Sequence, residues 1–444
     1  MNDSLSPGDS PLSRRRFAQA AASASAALGA WHSWIPASVH AASDQKIKLG
    51  LVGCGGRGSG AAVQAMTAGD DVQLVAVCDV ERATAEQSVA LMAKQKPDQV
   101  TVTPDKIFSG FEDYKTVIAE SDLVILATSP GFRPLHFEEA VKQGKHVFME
   151  KPVASDVAGI HRVLAAAKVA REKNLKVGVG LQRRHEPTYT EFVKRIQDGA
   201  LGDVKYLRVF WNGSARAGKE RVAGETELQY QIRNWYYYTW LSGDHIVEQH
   251  VHNLDVANWI MGTHPVKAQG MGGREVRNLP INGQIYDHHF VEFEYPDGTR
   301  LWSQCRQIPG CWRSVSEHVT GTLGEAHLEA RKFEITGKNA FTKGLRTGEN
   351  GHQLEHFPLL EAIRKDLPYA EAEHGADATM TGILGRMSNY SGQIVTWEEA
   401  MASNQTLVPD NLTDFASEPP VKPDGEGRYP IAVPGMTKPY EVWY

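Results

Sequence analysis

Apolar strands alternate with helical repeats over the first half of the chain. Residues 46–53 form an apolar run that ends in a glycine-rich turn, residues 60–67 follow a helical period, and residues 72–77 form a second apolar run. Further strands are predicted at 123–127, 147–149 and 177–180, and helices at 135–143 and 157–173. Strands that alternate with helices require a mostly parallel, doubly wound sheet.

The pattern changes in the second half, where apolar and polar residues alternate one by one. Such alternation is typical of antiparallel strands that bury one face and leave the other open. These strands are predicted at 204–211, 289–295, 300–306 and 312–321, and a late helix is predicted at 375–392. The predicted fold class is therefore α/β, with an N-terminal doubly wound parallel sheet followed by an α+β domain on an open, mainly antiparallel sheet.

The N-terminal region reads as an export signal. Residues 13–17 include three consecutive arginines, a weakly hydrophobic run rich in alanine and serine follows, and residues 39–41 form a small-residue cleavage pattern. This order is typical of a twin-arginine signal peptide, and an arginine-containing tail is the alternative. The apolar run is too short and too polar to remain as a membrane span. We therefore predict that residues 1–43 are a signal peptide and that the mature protein is periplasmic.

Composition narrows the class of protein. The chain has 444 residues, of which 41% are hydrophobic and 23% charged, which is enough for two domains with their own cores. Its net charge is −6 and its basic residues are dispersed, which argues against a nucleic-acid partner. The four cysteines show no zinc-ligand spacing. Cys305 and Cys311 could pair in an oxidising compartment, but the sequence leaves that disulfide open.

The glycine turn carries the strongest chemical signal. In Gly53-Cys54-Gly55-Gly56-Arg57-Gly58, the first glycine permits a tight turn, Gly55 lets a pyrophosphate approach the backbone, and Gly58 lets the helix pack on the strand. Asp79 ends the second strand 21 residues after Gly58, where an acid binds the adenosine ribose hydroxyls. The complete unit predicts a dinucleotide-binding domain at 44–182 and a substrate-binding and oligomerisation domain at 183–444.

The acids at this strand end favour NAD over NADP. Asp79 and Glu81 would repel a 2′-phosphate, whereas Arg82 keeps NADP open as the minor alternative. Other residues that follow strands open at the same edge of the sheet, where ligands of such sheets bind. The residues predicted to contact the cofactor are Gly53, Gly55, Gly56, Arg57, Gly58, Asp79, Thr128, Ser129, Pro130, Glu150, Lys151 and Gln182.

A second group of polar residues lies at 243–255. Asp244, Glu248, His252 and Asp255 follow one helical stripe, so one helix offers a histidine for proton transfer with carboxylates one turn away. A solvated polar face is the plain alternative. A metal could instead bind His245, His250, His252 and Glu248. Their mixed spacing satisfies no single ligand geometry, so we predict no metal.

These motifs together resemble the Gfo/Idh/MocA family of oxidoreductases, most strongly over residues 46–182. The resemblance rests on the glycine turn, Asp79, the segment 145–152 with Glu150-Lys151-Pro152, and the later Glu248, His252 and Asp255. It implies a Rossmann domain followed by an open antiparallel sheet, with activity mostly on sugars and cyclitols. It also implies that Lys151 contacts both the nicotinamide ribose and the substrate. The sequence departs from the family where glutamate replaces the usual aspartate at 248 and histidine replaces glycine at 250.

The substrate side is less defined. Residues 182–185 are similar to the family segment that enters the second domain, and an aromatic run at 235–240 could stack on sugar faces. Linker charges and an aromatic core are the alternatives. The residues predicted to contact substrate are Arg183, His185, Trp235 and Asp255.

The predicted function is an NAD-dependent oxidoreductase that acts on a hydroxyl of a sugar, cyclitol or glycoside. His252 would remove the proton, Lys151 would stabilise the alkoxide, and Glu248 would orient the histidine or polarise a hydroxyl. The alternatives are a redox-neutral NAD-dependent glycoside hydrolase and a non-catalytic nucleotide- or sugar-binding protein. Twin-arginine export moves folded proteins, so we expect tightly bound NAD. The open sheet predicts a homodimer or homotetramer.

Overall fold

The computed structural model describes residues 46–329, 332–344, 350–403 and 405–444. The predicted signal peptide at 1–43 lies outside these residues. No helix in the described part of the chain combines the length and the apolar character needed to cross a membrane.

The first sheet has six parallel strands in the order β3-β2-β1-β4-β5-β6. Its strands are β1 Ile47–Val52, β2 Val72–Asp79, β3 Ile107–Ser109, β4 Leu123–Leu126, β5 His146–Met149 and β6 Val177–Val179. All four residues of the central β4 are buried, as expected for a strand covered by helices on both faces. The predicted doubly wound parallel sheet is confirmed, and the short β3 is an addition to it.

Five helices connect these strands. They are α1 Gly56–Thr67, α2 Arg82–Gln95, α3 Tyr114–Glu120, α4 Arg133–Lys142 and α5 Val157–Glu172. The start of α5 is set by Asp156, whose carboxylate accepts the backbone N–H of Gly159 at 2.8 Å. The carboxylate of Asp156 also accepts the N–H of Leu407 at 2.6 Å, so the C-terminal part of the chain is fixed against this helix.

The second sheet has nine strands in the order β14-β13-β12-β11-β7-β10-β9-β8-β15. Its strands are β7 Val204–Asn212, β8 Lys267–Gly273, β9 His288–Glu294, β10 Arg300–Arg306, β11 Ser314–Gly321, β12 Gly324–Glu329, β13 Lys332–Gly337, β14 Phe341–Gly344 and β15 Val395–Thr396. Neighbouring strands are antiparallel except β7 and β10, which are parallel. Buried and part-exposed residues alternate along β9 and β10, so the predicted open, mainly antiparallel sheet is confirmed.

The remaining helices pack around the second sheet and between the sheets. They are α6 Pro187–Gln197, α7 Glu227–Arg233, α8 Thr239–Ser242, α9 His245–Glu248, α10 Val251–Met261, α11 Gly351–Leu354, α12 His356–Lys365, α13 Ala372–Ser391 and α14 Trp397–Ala402. Short 3-10 turns occur at Pro104–Lys106, Pro130–Phe132, Gln182–His185, Trp235–Tyr237 and Pro280–Asn282. The late helix predicted at 375–392 corresponds to α13.

The chain returns to the first sheet after completing the second. Leu359 and Leu360 of α12 are buried in the core that covers β1 and β2, and Val177 of β6 pairs with Ala370. Residues beyond 183 therefore contribute to the core of the first sheet, and a boundary at 182 stays a prediction. Cys305 and Cys311 are both free thiols.

Candidate active site

The glycine turn between β1 and α1 is shaped for a ligand that approaches its backbone. Gly53 has φ +93°, and a Cβ there would lie 2.6 Å from the backbone carbon of Ala127, so only glycine fits. A Cβ on Gly58 would collide with the carbonyl oxygen of Gly53. Positions 55 and 56 face open space, with no atom within 4 Å of a Cβ built there. This combination fits a pyrophosphate at the start of α1.

Asp79 holds the turn from the next strand. Its carboxylate accepts the backbone N–H of Cys54 at 2.8 Å and that of Glu81 at 3.2 Å. Burial raises the pKa of Asp79 above its usual value, although these hydrogen bonds oppose the shift. The acid is thus fixed where the second strand ends, at the position that the ribose hydroxyls of a dinucleotide require.

A cavity of about 660 Å³ opens beside the turn and is lined by Gly53, Gly55 and Asp79. Its size falls within the range of small-molecule sites. Thr128 and Ser129, which precede a 3-10 turn that starts at Pro130, line the same cavity. Trp235 also lines it, so the structure puts this residue, predicted to bind substrate, beside the nucleotide turn.

Arg57 connects the glycine turn to Glu150. Its Nε lies 2.9 Å from Oε1 of Glu150, whose side chain is only 4% exposed. Burial raises the pKa of Glu150, and burial together with the charge of Glu150 raises that of Glu355. Two buried carboxyl groups therefore face one guanidinium.

Gln182 is the first residue of the 3-10 turn Gln182–His185, and its Oε1 is buried without a hydrogen-bond partner among the residues that the structure describes.

Lys151 and Glu248, from different parts of the chain, meet directly. The Nζ of Lys151 donates to the backbone carbonyl of Glu248 at 2.5 Å and lies 3.3 Å from Oε1 of the same residue. Their side chains are 14% and 12% exposed. A largely buried ammonium group next to a carboxylate can stabilise negative charge that develops on a substrate oxygen.

His252 lies close to this pair. Its ring stacks on Trp211 with centroids 5.9 Å apart and 26° between the planes. Burial, followed by the charges of Lys151 and Arg183, lowers the pKa of His252 well below its usual value. Nδ1 is buried with no hydrogen-bond partner in the described part of the chain. A neutral imidazole is able to accept a proton.

The single helix predicted at 243–255 is wrong. The structure has two helices, α9 and α10, separated by Gln249 and His250. Nε2 of His250 bonds Oγ of Ser303 at 2.7 Å, and Oε1 of Gln249 accepts from Gln307 at 2.8 Å. Both residues at the break are thus anchored to β10 or the residue just after it. A local period of 3.6 carries no signal for such long-range contacts.

Asp244 lies outside the helical stripe. It has φ +76°, and its Oδ2 accepts the N–H of Tyr286 at 3.0 Å and the hydroxyl of Tyr390 at 2.5 Å. Asp244 therefore does not flank His252 as the sequence pattern suggested. Its carboxylate belongs to a separate buried cluster.

Among the described residues, this cluster contains the two histidines whose spacing could suit a metal ion. Ligand atoms of Asp244, His245 and His289 all lie within 4.8 Å of one another. Burial lowers the pKa values of Arg274 and Arg386, and the charge of Asp244 opposes this shift in both, so positive charge lies within electrostatic reach of the cluster. Nearby positive charge disfavours a dication here. The group weighed from the sequence, which included His250, is not the group that comes together.

Three of the four predicted substrate residues have partners within the protein. Arg183 pairs with Glu317 and lies over the ring of Trp211, 5.5 Å from its centroid. Asp255 accepts bidentate hydrogen bonds of 2.7–3.0 Å from Arg184. Nε2 of His185 lies 3.2 Å from Oε1 of Glu371. Arg183 thus lies behind the tryptophan that supports His252. Substrate contacts of these residues stay predictions.

Two residues that the sequence analysis did not identify, His352 and Tyr236, also lie near the site. Burial and the charges of Arg57 and Lys151 lower the pKa of His352 to about 4. Oη of Tyr236 accepts from Gln307 at 2.7 Å, and the charge of Glu248 adds to the effect of burial in raising its pKa. Tyr236 belongs to the aromatic run already noted, whereas His352 follows the second sheet and carries no local signal.

A dinucleotide cradle next to a lysine, a histidine and a glutamate defines a dinucleotide-binding oxidoreductase fold. Residues 47–181 match the model of the oxidoreductase family with an NAD-binding Rossmann fold, and residues 189–327 match the GFO/IDH/MocA C-terminal domain. The chain belongs to the Gfo/Idh/MocA family.

Its relatives include inositol dehydrogenases. The chain is 29% identical over 359 residues to inositol 2-dehydrogenase 4 of Saccharopolyspora erythraea, covering 79% of this chain and 90% of that protein. It is 23% identical over 257 residues, or 57% of its length, to inositol 2-dehydrogenase/D-chiro-inositol 3-dehydrogenase of Lactiplantibacillus plantarum. The chain spans only 63% of the length of that second relative.

A solved structure shares the fold. The aldose-aldose oxidoreductase from Caulobacter crescentus, complexed with glycerol, superposes with a TM-score of 0.64. The match covers 79% of this chain and all of the other, at 16% sequence identity. At that identity the likeness establishes the architecture alone.

Proposed function

We propose that the protein oxidises a hydroxyl group of a sugar, cyclitol or glycoside with NAD as the hydride acceptor. The observation that carries this proposal is the contact of Lys151 with Glu248 beside His252, at the sheet edge where the glycine turn opens. Inositol dehydrogenases among the relatives support a polyhydroxylated substrate. Asp79, with Glu81 beside it, supports NAD over NADP.

Each residue has a role that its surroundings permit. The imidazole of His252 accepts the hydroxyl proton, because burial keeps it neutral at ordinary pH. The Nζ of Lys151 donates a hydrogen bond to the substrate oxygen as it becomes negative. Glu248 holds that ammonium group through its carbonyl and carboxylate oxygens. Burial of all three groups excludes water from the reacting atoms.

The test uses purified protein, a panel of free sugars, inositols and aryl glycosides, and the nicotinamide absorbance as the readout. Lys151→Ala and His252→Ala should each lower turnover by about 100-fold or more with nucleotide content unchanged. Lys142→Ala, whose side chain is 75% exposed and paired with Glu139, is the matched control. Unchanged turnover in His252→Ala would exclude this histidine as the base.

A redox-neutral glycoside hydrolase is the second candidate. In that reaction a ring hydroxyl is oxidised to a ketone, the neighbouring carbon loses a proton, and the glycosidic substituent leaves. Water then adds and the ketone is reduced again. The nucleotide cavity favours this candidate because residues 219–235 also line it, as expected for a cofactor that stays bound. Aglycone release without net change in nicotinamide absorbance would identify the hydrolase, and net reduction would identify the dehydrogenase.

Export and assembly complete the proposal. The arginines at 14–16 support twin-arginine export to the periplasm, where a retained cofactor is useful because no free pool is supplied. A homodimer or homotetramer is supported by apolar side chains exposed on the second sheet and beside it, such as Met271 at 74% and Trp312 at 62%. Replacement of Arg14, Arg15 and Arg16 by lysines should block export, and sedimentation should give the number of chains.

A further inference from the structure

The nucleotide cavity has a roof that comes from outside the parallel sheet. The roof is residues 219–235, which follow β7 and include α7, and nine of its members line the cavity together with the glycine turn. Among them are Lys219, Val222, Glu225, Gln229, Arg233 and Trp235. Residues 405–444, here called the tail, contribute Phe415 to the same lining. The family models end at residue 327, before the tail begins.

Two contacts join the roof and the tail to the first sheet across the cavity. Nε2 of Gln229 donates to Oε1 of Glu81 at 2.6 Å, just after the strand that ends in Asp79. The ring of Phe415 meets that of Phe111 edge to face, with centroids 5.4 Å apart and 81° between the planes. The roof is therefore held by a hydrogen bond to Glu81, and the tail by a ring contact with Phe111.

The roof is braced internally. Arg233 makes two hydrogen bonds to Glu225, at 2.5 and 2.8 Å, and a third to the carbonyl of Glu220 at 2.6 Å. Oγ1 of Thr226 donates to the carbonyl of Phe415 at 2.7 Å, which ties the roof to the tail. Because roof and tail are connected in this way, the cavity opens only when several contacts break together.

Lys219 is the roof residue with an unused charge. It lines the cavity, and its ammonium group has no hydrogen-bond or ion-pair partner among the described residues. Lys219 and Asp79 line the same cavity, so the ammonium group shares the site with the predicted ribose ligand. Arg233, the other roof cation on the cavity wall, is occupied by Glu225. A phosphate oxygen of the bound nucleotide is the partner that such a position suits.

We propose that Gln229–Glu81 and Phe111–Phe415 close the cavity over bound NAD, that Lys219 binds a phosphate of the nucleotide, and that NAD therefore remains bound between turnovers. The proposal rests on the proposed function only for the identity of the nucleotide. It assigns cofactor binding to residues of the second domain and the tail.

The experiment follows exchange of bound nucleotide without substrate. Protein as purified is incubated with isotopically labelled NAD, and the labelled fraction is measured over time after gel filtration. Exchange in the parent protein should be slower than its turnover. Phe415→Ala and Gln229→Ala should each accelerate exchange by roughly tenfold or more, because each removes one of the two fastenings. Phe415→Leu, which keeps the apolar contact, provides an intermediate variant if the alanine change impairs folding.

Matched controls lie away from the cavity. Phe357→Ala removes a phenyl ring that is 44% exposed on α12, and Gln269→Ala removes an exposed amide on β8. Neither should change the exchange rate. Rapid exchange in the parent, or the same rate in Phe415→Ala and Gln229→Ala as in the controls, would overturn the closed cavity. A parent protein that binds no nucleotide would instead overturn the proposed function.

Lys219→Met tests the phosphate contact separately, with Lys205→Met as the control because Lys205 is an exposed lysine of β7. Affinities for NAD and NADP are measured by titration of protein stripped of nucleotide. An equal loss of about tenfold for both assigns Lys219 to the pyrophosphate, as proposed. A loss confined to NADP would place Lys219 at the 2′-phosphate and overturn its role in binding NAD. Unchanged affinity for both would remove Lys219 from the site.

Discussion

Asp255→Asn separates a structural role for Asp255 from a role in binding substrate. The side chain is 1% exposed, and its two carboxylate oxygens accept three hydrogen bonds of 2.7–3.0 Å from Arg184. Arg184 is itself only 18% exposed and lies over the ring of Trp259. The substitution keeps the shape of the side chain and removes its charge, so the guanidinium is left without its counter-ion.

The expected cost follows from burial of this pair. Breaking a buried ion pair by removing one partner destabilises a protein by about 3–5 kcal/mol. With an unfolding entropy near 2.1 cal/mol/K per residue and about 400 ordered residues, that cost lowers Tm by about 4–6 °C. Asp198→Asn is the control, because Asp198 pairs with Lys194 while 61% exposed. Such an exposed pair contributes about 0–1 kcal/mol.

The assay compares Tm by differential scanning calorimetry, and KM and kcat with the best substrate of the panel. A structural Asp255 gives a lower Tm with KM little changed at temperatures well below unfolding. A Tm equal to that of the parent, together with a raised KM, would refute the reasoning. It would mean that the carboxylate binds substrate and that Arg184 tolerates its loss.

Three other outcomes are expected. Because the pKa of His252 lies well below its usual value, the base form persists in acid, and kcat/KM should not fall as pH drops through about 6.5. A Gly53→Ala protein should contain less nucleotide after purification, since its Cβ would lie 2.6 Å from the backbone of Ala127. Burial lowers the pKa values of His136, His250 and His356 to about 3, so these three side chains take up protons just below pH 6.5 only in the unfolded chain. Stability in chemical denaturation should therefore fall from about pH 6.5 towards pH 3.

The parallel sheet could be predicted well because its signals are local. Each central strand is a short apolar run, such as residues 123–126, and the glycine turn needs a backbone that only glycine adopts. Strands β12 to β14 alternate regularly but were missed, because each buries at most two side chains and so gives only a weak apolar signal. The roof and the tail have little regular structure, so no periodic pattern marks them.

The sequence identified the residues of the site better than it identified the contacts between them. Lys151, Glu248 and His252 were identified by motif and spacing, and the structure brings Lys151 to Glu248. Partners such as Glu317 for Arg183 lie more than a hundred residues away, and a single sequence contains no signal for such pairs. Trp235 was assigned to substrate from composition, and the fold turns it towards the nucleotide cavity.

The break after Glu248 explains why the site exists at all. In a continuous helix the carbonyl of Glu248 would accept the N–H of His252, four residues on. Because α9 ends at Glu248, this carbonyl is released and instead accepts from Nζ of Lys151 at 2.5 Å. The same break lets α10 start afresh at Val251, so His252 stacks on Trp211 rather than continuing the turn above Glu248. The long-range bonds of Gln249 and His250 to β10 and Gln307 therefore position both the lysine partner and the base.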